Sequence, residues 1–444
     1  MHEYWPSITS TRFYSQQKIM RLYLKIIANK LPLHYGWVVV SLCILGNMVG
    51  AGTTFWTMAV YIPLIADEFQ STRTAVVSAF TVGQITFVII APFIGTYFDR
   101  KGVRGSIFVG SVLAATAFLL TSQAETVFQI FLGWTLLSAT RGLLMDLPFN
   151  WLITRWFVGK KQQAALGVVT VGFGFGGAIL LPILNQIASV YSWRASMITS
   201  AILLLIVHGF LIPLLIRNTP QQLGLTPNRS SQEKSLNSRP DDLVGMTVSS
   251  AVRTPAFWVA AMGLFLFYGG QTLSSLIIDF FSTAGLSFGA LAIAITAWIR
   301  TGLRIPLGFS MARIDRVFLL STLVCLSQGL GVFALLFAPT GPPLLAWILL
   351  WGIGGAFAPM IGPLVTTKLF GVKHYGAVSG AIQAIGFSGQ MVAPILGALL
   401  FDIRGDYYLS FMIYSISFAL GAILFAILKA PKSNEYKTTQ HAGG

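Results

Sequence analysis

The chain has 444 residues, of which 55% are hydrophobic and only 10% are charged, against about 25% charged residues in a typical soluble domain. With a mean hydropathy of +0.74, the chain is too apolar for a water-exposed exterior, so we expect lipid to be its solvent. The formal net charge of +15 could suggest nucleic acid. Most of the basic residues, however, fall in alternate short loops, which is typical of membrane proteins and excludes that partner.

Twelve apolar segments follow one another along the chain. A helix needs about 20 apolar residues to cross a bilayer. We therefore predict spanning helices at roughly 36–63, 72–98, 104–122, 127–153, 163–190, 195–216, 255–282, 288–311, 317–338, 343–368, 374–400 and 408–429. An even number of crossings places both termini on one side of the membrane, and the basic loops identify that side as the cytoplasm.

A hydrophilic stretch divides these segments into two sets of six. Residues 218–254 are rich in Pro, Ser, Asn and charge, which predicts a cytoplasmic linker between bundles at 36–217 and 255–430. Residues 1–35 contain IMRLYLKIIANK, a basic amphipathic stretch that we expect at the membrane interface, and residues 431–444 form a cytoplasmic tail. We expect no removed signal peptide at the N-terminus; an organellar transit peptide is the alternative.

The loop after the second predicted helix has a distinctive pattern, GTYFDRKGVR at residues 95–104. Gly95 permits close contact between helices, and Asp99 can meet the N-terminus of a neighbouring helix. Arg100 and Arg104, on either side of Gly102, can latch the two halves together on the cytoplasmic side. A simple basic loop is the alternative, but the Gly and Asp spacing resembles the signature of the major facilitator superfamily.

Further stretches are similar to one branch of that superfamily, the oxalate/formate antiporters and monocarboxylate transporters. They are RWFVGKK at 155–161, ALG at 165–167, SWR at 192–194, NTPQQLGL at 218–225 and RTPAFW at 253–258. The resemblance covers nearly the whole chain apart from the first thirty residues and the tail. It implies an all-α membrane protein with the major facilitator fold, twelve transmembrane helices in two pseudo-symmetric six-helix bundles.

Three arginines fall inside predicted helices, namely Arg141, Arg300 and Arg304. A charge at the bilayer centre costs at least about 2.5–3.5 kcal/mol, so each needs a partner, a watery cavity or a ligand. Arg300 and Arg304 are four residues apart and share a helix face. The resemblance implies that the fourth and eighth helices line the central cavity, and that Arg304 matches an arginine that binds substrate carboxylate.

The chain departs from both kinds of relative at this site. Arg300 stands where proton-coupled monocarboxylate carriers have an aspartate, and Ile382 and Gln383 stand where oxalate carriers have a lysine. Three arginines without that acid favour a more strongly anionic substrate, such as a di- or tricarboxylate. A bulkier acid held partly by Trp298 and Trp351 is the other option.

Two acids could neutralise these arginines instead of a ligand. Asp146 lies five residues after Arg141, about 140° around the helix, which makes an intrahelical pair poor. Asp279, near the outer end of the seventh helix, could pair with Arg300, and both acids are candidates for proton coupling. Because two acids cannot neutralise three arginines, we expect at least one arginine to bind ligand.

These features favour a secondary active transporter of an organic anion, working as an antiporter or a proton-coupled carrier in the plasma (inner) membrane. Gln271, Gln383 and Tyr61 are further candidates for contact with substrate, although polar residues also join membrane helices. We expect a monomer, with a proton or a counter-anion as co-substrate. The alternatives are an exporter of a neutral or amphiphilic compound, whose arginines are structural, and a transporter-like sensor. No nucleotide loop, metal cluster or activated nucleophile is recognisable, so neither a cofactor nor enzymatic activity is expected.

Overall fold

The computed structural model describes residues 25–26, 34–71, 73–228, 245–286, 288–310 and 316–429. The tail, residues 229–244 of the linker and all of the predicted N-terminal interface segment except residues 25–26 therefore lie outside the described residues. Within the described ranges the chain is almost entirely helical, because helices satisfy their own backbone groups in hydrocarbon.

The first half of the chain contains six helical segments, which we call spans 1 to 6. Their helices are Gly36–Ala51 and Met58–Glu68 in span 1, Arg73–Lys101 in span 2, Arg104–Ser122 in span 3, Val127–Leu144 and Leu147–Trp156 in span 4, Lys160–Val169, Val171–Phe175 and Leu181–Val190 in span 5, and Trp193–Leu204 and Ile212–Leu215 in span 6. Spans 1, 5 and 6 each contain a π-helical turn, at Gly52–Trp56, Gly176–Leu180 and Leu205–Leu211.

The second half contains six more segments, spans 7 to 12. Their helices are Pro255–Gln271 and Leu273–Thr283 in span 7, Gly289–Ser310 in span 8, Val317–Leu335 in span 9, Gly341–Phe370 in span 10, Tyr375–Arg404 in span 11 and Tyr408–Ile427 in span 12. The described ends of the linker carry a short 3-10 turn at Pro220–Leu223 and a helix at Val248–Val252.

Nine stretches of the described residues are long and apolar enough to cross a membrane by length and composition. Spans 7, 8 and 11 are also helical, but each includes side chains outside the described residues and none of the three enters this count. Spans 8 and 11 pack against the first half.

The two halves meet where span 2 crosses span 11 and where span 5 packs against span 8. At the first crossing, a Cβ on Gly95 would lie 1.9 Å from the carbonyl oxygen of Gly376, and one on Gly380 would lie 2.5 Å from that of Ala91. The two backbones are therefore in direct contact. This contact lies at the end of span 2 that leads into the loop at residues 100–104, which we call the motif side.

Hydrogen bonds between the halves reinforce this contact. Those within the described part of the chain join Asp99 to Gly376 and Ala377, Arg155 to Lys373, and Arg304 to Thr170. All these residues lie at the motif side or near the middle of their spans. The structure is thus closed between the halves on the motif side.

Replacing Gly95 with alanine tests this crossing. The added methyl group would meet backbone, which cannot move away as a side chain can, so we expect Gly95→Ala to destabilise the protein by about 1–3 kcal/mol. Gly105→Ala is the matched control, since a Cβ there meets nothing within 4 Å and alanine favours a helix. Thermal unfolding in detergent should show a lower Tm for Gly95→Ala alone. Equal melting of the two variants would contradict the close crossing.

Candidate functional site

Span 4 is interrupted shortly after Arg141. The helix Val127–Leu144 ends, Met145 takes an extended conformation, and Asp146 has a φ of +30° before the helix Leu147–Trp156 begins. A positive φ is uncommon for a residue with a side chain and costs about 1–3 kcal/mol. Such a conformation persists only where the surrounding structure holds it in place.

Neighbouring spans hold the two ends of this break. The backbone N–H of Asp146 donates to Asn47 Oδ1 of span 1 at 2.9 Å, and Asn47 Nδ2 donates to the carbonyl oxygen of Val169 in span 5. On the other side of the break, His208 Nε2 of span 6 lies 3.0 Å from the carbonyl oxygen of Leu144. Backbone groups freed inside a membrane need such partners. The break is therefore a specific part of the fold.

Arg141 is enclosed by an amide and three aromatic rings. Its Nη1 donates to Gln84 Oε1 at 2.7 Å, and its Cζ lies 5.5, 5.2 and 5.4 Å from the ring centroids of Phe55, Phe87 and Phe387. Cation–π contacts of this kind contribute about 0.5–2 kcal/mol each. Because Phe387 belongs to span 11, both halves of the protein contribute to this enclosure.

Arg304 extends from the second half to the first. Its side chain is buried, with 7% of the residue exposed, and its Nη1 lies 3.4 Å from the carbonyl oxygen of Thr170 in span 5. A Cβ on Gly174 would lie 2.9 Å from the same Nη1, so the glycine leaves room for the guanidinium. Within the described structure, the buried Nε of Arg304 has no hydrogen-bond partner.

Arg300 lies one turn before Arg304 on span 8 and packs against span 10. Its Cζ is 5.0 Å from the ring centroid of Trp351, and a Cβ on Gly355 would lie 2.2 Å from its Nε. The Nε and Nη2 atoms are buried and find no hydrogen-bond acceptor among the described residues. An unpaired buried polar group costs about 1–3 kcal/mol, and more when it is charged. This guanidinium is therefore the least compensated of the three.

Among the described acids, Asp146 is the one that interacts electrostatically with this arginine cluster. It interacts with both Arg141 and Arg304. The ion pairs found in the described structure lie elsewhere, between Arg155 and Asp99 and between Arg194 and Glu68. Asp146 thus forms no direct ion pair with an arginine among the described residues.

Two residues predicted to contact substrate lie elsewhere. Trp298 is 74% exposed and stands two residues before Arg300, about 160° around the helix, so it does not lie beside that arginine. Its contact with a bulky acid stays a prediction. Tyr61 is only 1% exposed, and its hydroxyl lies 3.1 Å from Ser196 Oγ and 3.4 Å from Ser200 Oγ of span 6. It joins spans 1 and 6 within the first half.

The predicted amide residues bond to their neighbours. Gln271 Nε2 donates to Gln328 Oε1 at 3.1 Å, which joins spans 7 and 9. Gln383 is buried, and its Nε2 donates to Ser379 Oγ one turn earlier on span 11. The side chain of Asp279 lies outside the described residues. Of the predicted residues other than the arginines and Asp146, Trp351 is the one that the structure places against an arginine of the cluster.

On the motif side, Asp99 is the centre of a second cluster. Its Oδ1 and Oδ2 accept hydrogen bonds from the backbone N–H groups of Gly376 and Ala377, at 3.2 and 2.8 Å. These groups belong to the N-terminus of span 11, where a carboxylate is stabilised by the helix dipole, and this is the contact predicted for Asp99. Trp151 Nε1 donates to Oδ1 at 2.8 Å, and Arg155 Nη2 lies 3.5 Å from the same atom.

The arginine that bridges the halves here is Arg155 and not Arg104. Arg155 Nη2 donates to the carbonyl oxygen of Lys373 in the second half at 2.8 Å. Arg104 Nε donates to the carbonyl oxygen of Pro213 in span 6, so the prediction that it latches the halves is wrong, and Arg100 is exposed. The sequence signal for Arg155 was its position at the end of a predicted helix, which any basic loop residue shares.

Comparison with known proteins agrees with this architecture. Residues 42–327 match the profile of the Major Facilitator Superfamily, and the chain belongs to that family. It is 25% identical over 409 residues to human monocarboxylate transporter 11, covering 88% of this chain and 82% of the relative. It is 24% identical over 411 residues to the oxalate:formate antiporter of Oxalobacter formigenes, covering 89% and 93%. Its fold is similar to that of a human organic anion transporter, with a TM-score of 0.66 and 16% identity over 89% of this chain and all of the other.

These matches confirm the predicted family, the all-α membrane fold and the resemblance to the oxalate/formate and monocarboxylate branch. Members of this family move solutes across membranes and do not catalyse chemical reactions, so the chain is a membrane transporter and not an enzyme.

Asp99→Asn tests the motif-side closure. The amide loses the ion pair with Arg155 and most of the attraction to the span 11 N-terminus, interactions that contribute about 1.5–3 kcal/mol. We expect the motif side to open more often, so that a cysteine introduced at buried Ala91 reacts with a maleimide on the order of tenfold faster.

Asp406→Asn is the matched control for this experiment. Asp406 Oδ1 accepts from the backbone N–H of Tyr408 at the start of span 12, a similar contact that stays within one half. Its loss should leave the Ala91→Cys reaction unchanged. Equal rates in the Asp99→Asn and parent proteins would contradict a closing role for Asp99.

Proposed function

We propose that this transporter is a secondary active carrier of an organic anion, with a carboxylate as the favoured group, working by alternating access. The observation that carries the proposal is the pair Arg300 and Arg304: the buried Nε of each, and Nη2 of Arg300, lack hydrogen-bond partners among the described residues. Lipid cannot compensate such charges. A bound anion would supply both the charge and the acceptors.

The residue type supports a carboxylate. The guanidinium fork binds a carboxylate through two parallel hydrogen bonds and keeps its charge at every physiological pH. Arg304 contacts the carbonyl oxygen of Thr170 across the interface between the halves, and Arg141 is enclosed by rings from both halves. An anion bound here would touch both moving bodies, as alternating access requires.

The charge balance favours coupled transport over free uniport. An empty site with three arginines resists dehydration, whereas a bound anion offsets the charge and favours closure around it. In an exchange cycle, an anion occupies the site during both the outward and the inward conformational change, so the charge of the arginines is offset each time. Cotransport with a proton needs an acid in the site, for which Asp146 and Asp279 are the candidates. A pH jump across proteoliposomes would separate these two modes, because it drives cotransport alone.

The curated relatives support the same substrate class. Their names describe a monocarboxylate transporter and an oxalate:formate antiporter, and carboxylate is the group common to both. We extend to this chain an inner (plasma) membrane location and a monomeric state. The basic loops support cytoplasmic termini.

Export of a neutral or amphiphilic compound is the second candidate function. It is favoured by Arg141, which is held by Gln84 and three phenyl rings without a carboxylate. If all three arginines were structural in this way, carboxylates would neither bind nor compete for transport.

Counterflow in proteoliposomes tests the proposed site. We expect Arg300→Gln and Arg304→Gln to lower the rate for the cognate anion by about tenfold to a hundredfold, since each removes charge-assisted hydrogen bonds of about 1.5–3 kcal/mol. Arg304→Lys should fall between, because it keeps the charge but loses the fork. Arg253→Gln, at an exposed arginine, is the control. Full anion transport by Arg304→Gln would exclude Arg304 as a ligand.

A pair of tryptophans tests the geometry. Trp351 supports Arg300 through its ring, whereas Trp298 lies on the opposite face of span 8. We expect Trp351→Leu to weaken anion binding about threefold to thirtyfold, from the loss of a desolvated cation–π contact of about 0.5–2 kcal/mol. Trp298→Leu should leave binding unchanged. Isothermal titration with purified protein gives both affinities, and the reverse order would contradict the assignment.

A further inference from the structure

Three aromatic side chains of the first half form a group that we call the aromatic triad, namely Phe55, Trp56 and Phe173. The ring centroids of Phe55 and Trp56 lie 5.3 Å apart, those of Phe55 and Phe173 lie 5.2 Å apart, and those of Trp56 and Phe173 lie 5.4 Å apart. All three side chains are only partly buried. The triad therefore presents aromatic surface that the protein itself does not cover.

The triad forms where the π-helical turns of spans 1 and 5 lie side by side, at Gly52–Trp56 and Gly176–Leu180. Such turns are frequent at functional sites. A Cβ on Gly176 would lie 2.7 Å from the backbone nitrogen of Gly52, and Trp56 Nε1 donates to the carbonyl oxygen of Phe173 at 2.9 Å. Close backbones and this hydrogen bond already join the two spans, which leaves the open faces of the rings available for a ligand.

The triad faces the centre of the protein and not the lipid. The ring of Phe55 packs on Arg141, with its centroid 5.5 Å from Cζ. The other two rings around the same guanidinium, Phe87 and Phe387, belong to spans 2 and 11. An apolar group bound at the triad would thus lie beside a buried cation and between the two halves.

The triad also borders Arg304. Gly174 follows Phe173 on span 5, and a Cβ on Gly174 would lie 2.9 Å from Arg304 Nη1. Successive residues of a helix point about 100° apart. Because Gly172 meets the backbone of Ile44 in span 1 and Gly174 meets span 8, Phe173 points between those two spans. A carboxylate held by Arg304 would therefore have the triad one residue away along span 5.

Arginine forks beside open aromatic rings suit an anion that has an apolar body. The fork binds the carboxylate through parallel hydrogen bonds. An aryl group of the ligand packs offset or edge-on against protein rings and leaves water as it does so. A small anion such as acetate would satisfy a fork but would leave the rings of the triad uncovered.

We propose that Phe55, Trp56 and Phe173 form an apolar subsite that holds the body of the transported anion, so that the site favours an aryl carboxylate over a small carboxylate of the same charge. This inference rests on the proposed anion transport and specifies its substrate class. The arginines bind the charge, and the triad selects the body that carries it.

Binding of matched anions tests the proposal. Acetate and phenylacetate share one carboxylate, and succinate and phenylsuccinate share two, so each pair differs only in the ring. Affinities are measured by titration of the purified full chain in detergent. For the wild-type protein we expect the aryl member of at least one pair to bind about tenfold more tightly or better, since its ring is removed from water.

Variants then connect the preference to the triad. Phe173→Leu keeps the carbonyl oxygen that Trp56 requires but removes the ring, so we expect the aryl-to-small affinity ratio to fall about threefold to tenfold. Affinity for the small anion should stay unchanged, whereas a purely structural role would lower both affinities alike. Phe173→Tyr retains a ring and should restore the ratio.

Phe333→Leu is the matched control. Phe333 lies on span 9, is 45% exposed, and its ring centroid is 5.2 Å from that of Phe337, the same spacing as in the triad but away from the arginines. Its loss should leave the ratio unchanged. All variants are titrated in the same detergent, so partitioning of the aryl acids into micelles affects them equally.

Each outcome bears on a different claim. A wild-type protein that binds none of the four anions would overturn the proposed anion transport and this inference with it. Binding without an aryl preference in either pair would overturn the inference alone. A folded Phe173→Leu protein with the wild-type ratio would do the same, because the body of the anion would then be held elsewhere.

Discussion

Positive charge inside a lipid-solvated bundle is the constraint on which the rest of this structure depends. Each of the three arginines is compensated differently: Arg141 by an amide and aromatic rings, Arg304 by a carbonyl oxygen from the other half, and Arg300 by one tryptophan ring. The compensation is thus most complete in the first half and least complete on span 8. A bound anion would therefore gain the most free energy on span 8, where the protein compensates the positive charge least.

The backbone near these charges is interrupted in span 4 and is held there by neighbouring spans. Span 4 breaks at Asp146, and span 1 and span 6 supply the partners that an unbroken helix would not need, through Asn47 and His208. The carboxyl group at this break interacts electrostatically with Arg141 and Arg304. A continuous helix would have turned residue 146 about 140° away from residue 141. Secondary structure and electrostatics are therefore linked at this point.

Much of the fold was predictable because lipid imposes a simple length and hydropathy rule, and because the motif at residues 95–104 assigned Asp99 to a helix N-terminus. The arginines were also predictable, since charge is rare in such segments. Contacts between spans were not, because one sequence gives the face of a residue but not what lies opposite. Tyr61 and Arg155 show this limit. Trp298 differs from these two, since its helical offset from Arg300 already placed it on the other face.

The contact between Asp99 and span 11 has a consequence for how such a protein can change over generations. Its donors are backbone N–H groups of Gly376 and Ala377, which every amino acid except proline provides. Substitutions at residues 376 and 377 therefore leave the hydrogen-bond donors of this contact in place. The acceptor, in contrast, depends on the single carboxylate of Asp99. Only steric limits, such as the close backbone at Gly376, restrict the tolerant side.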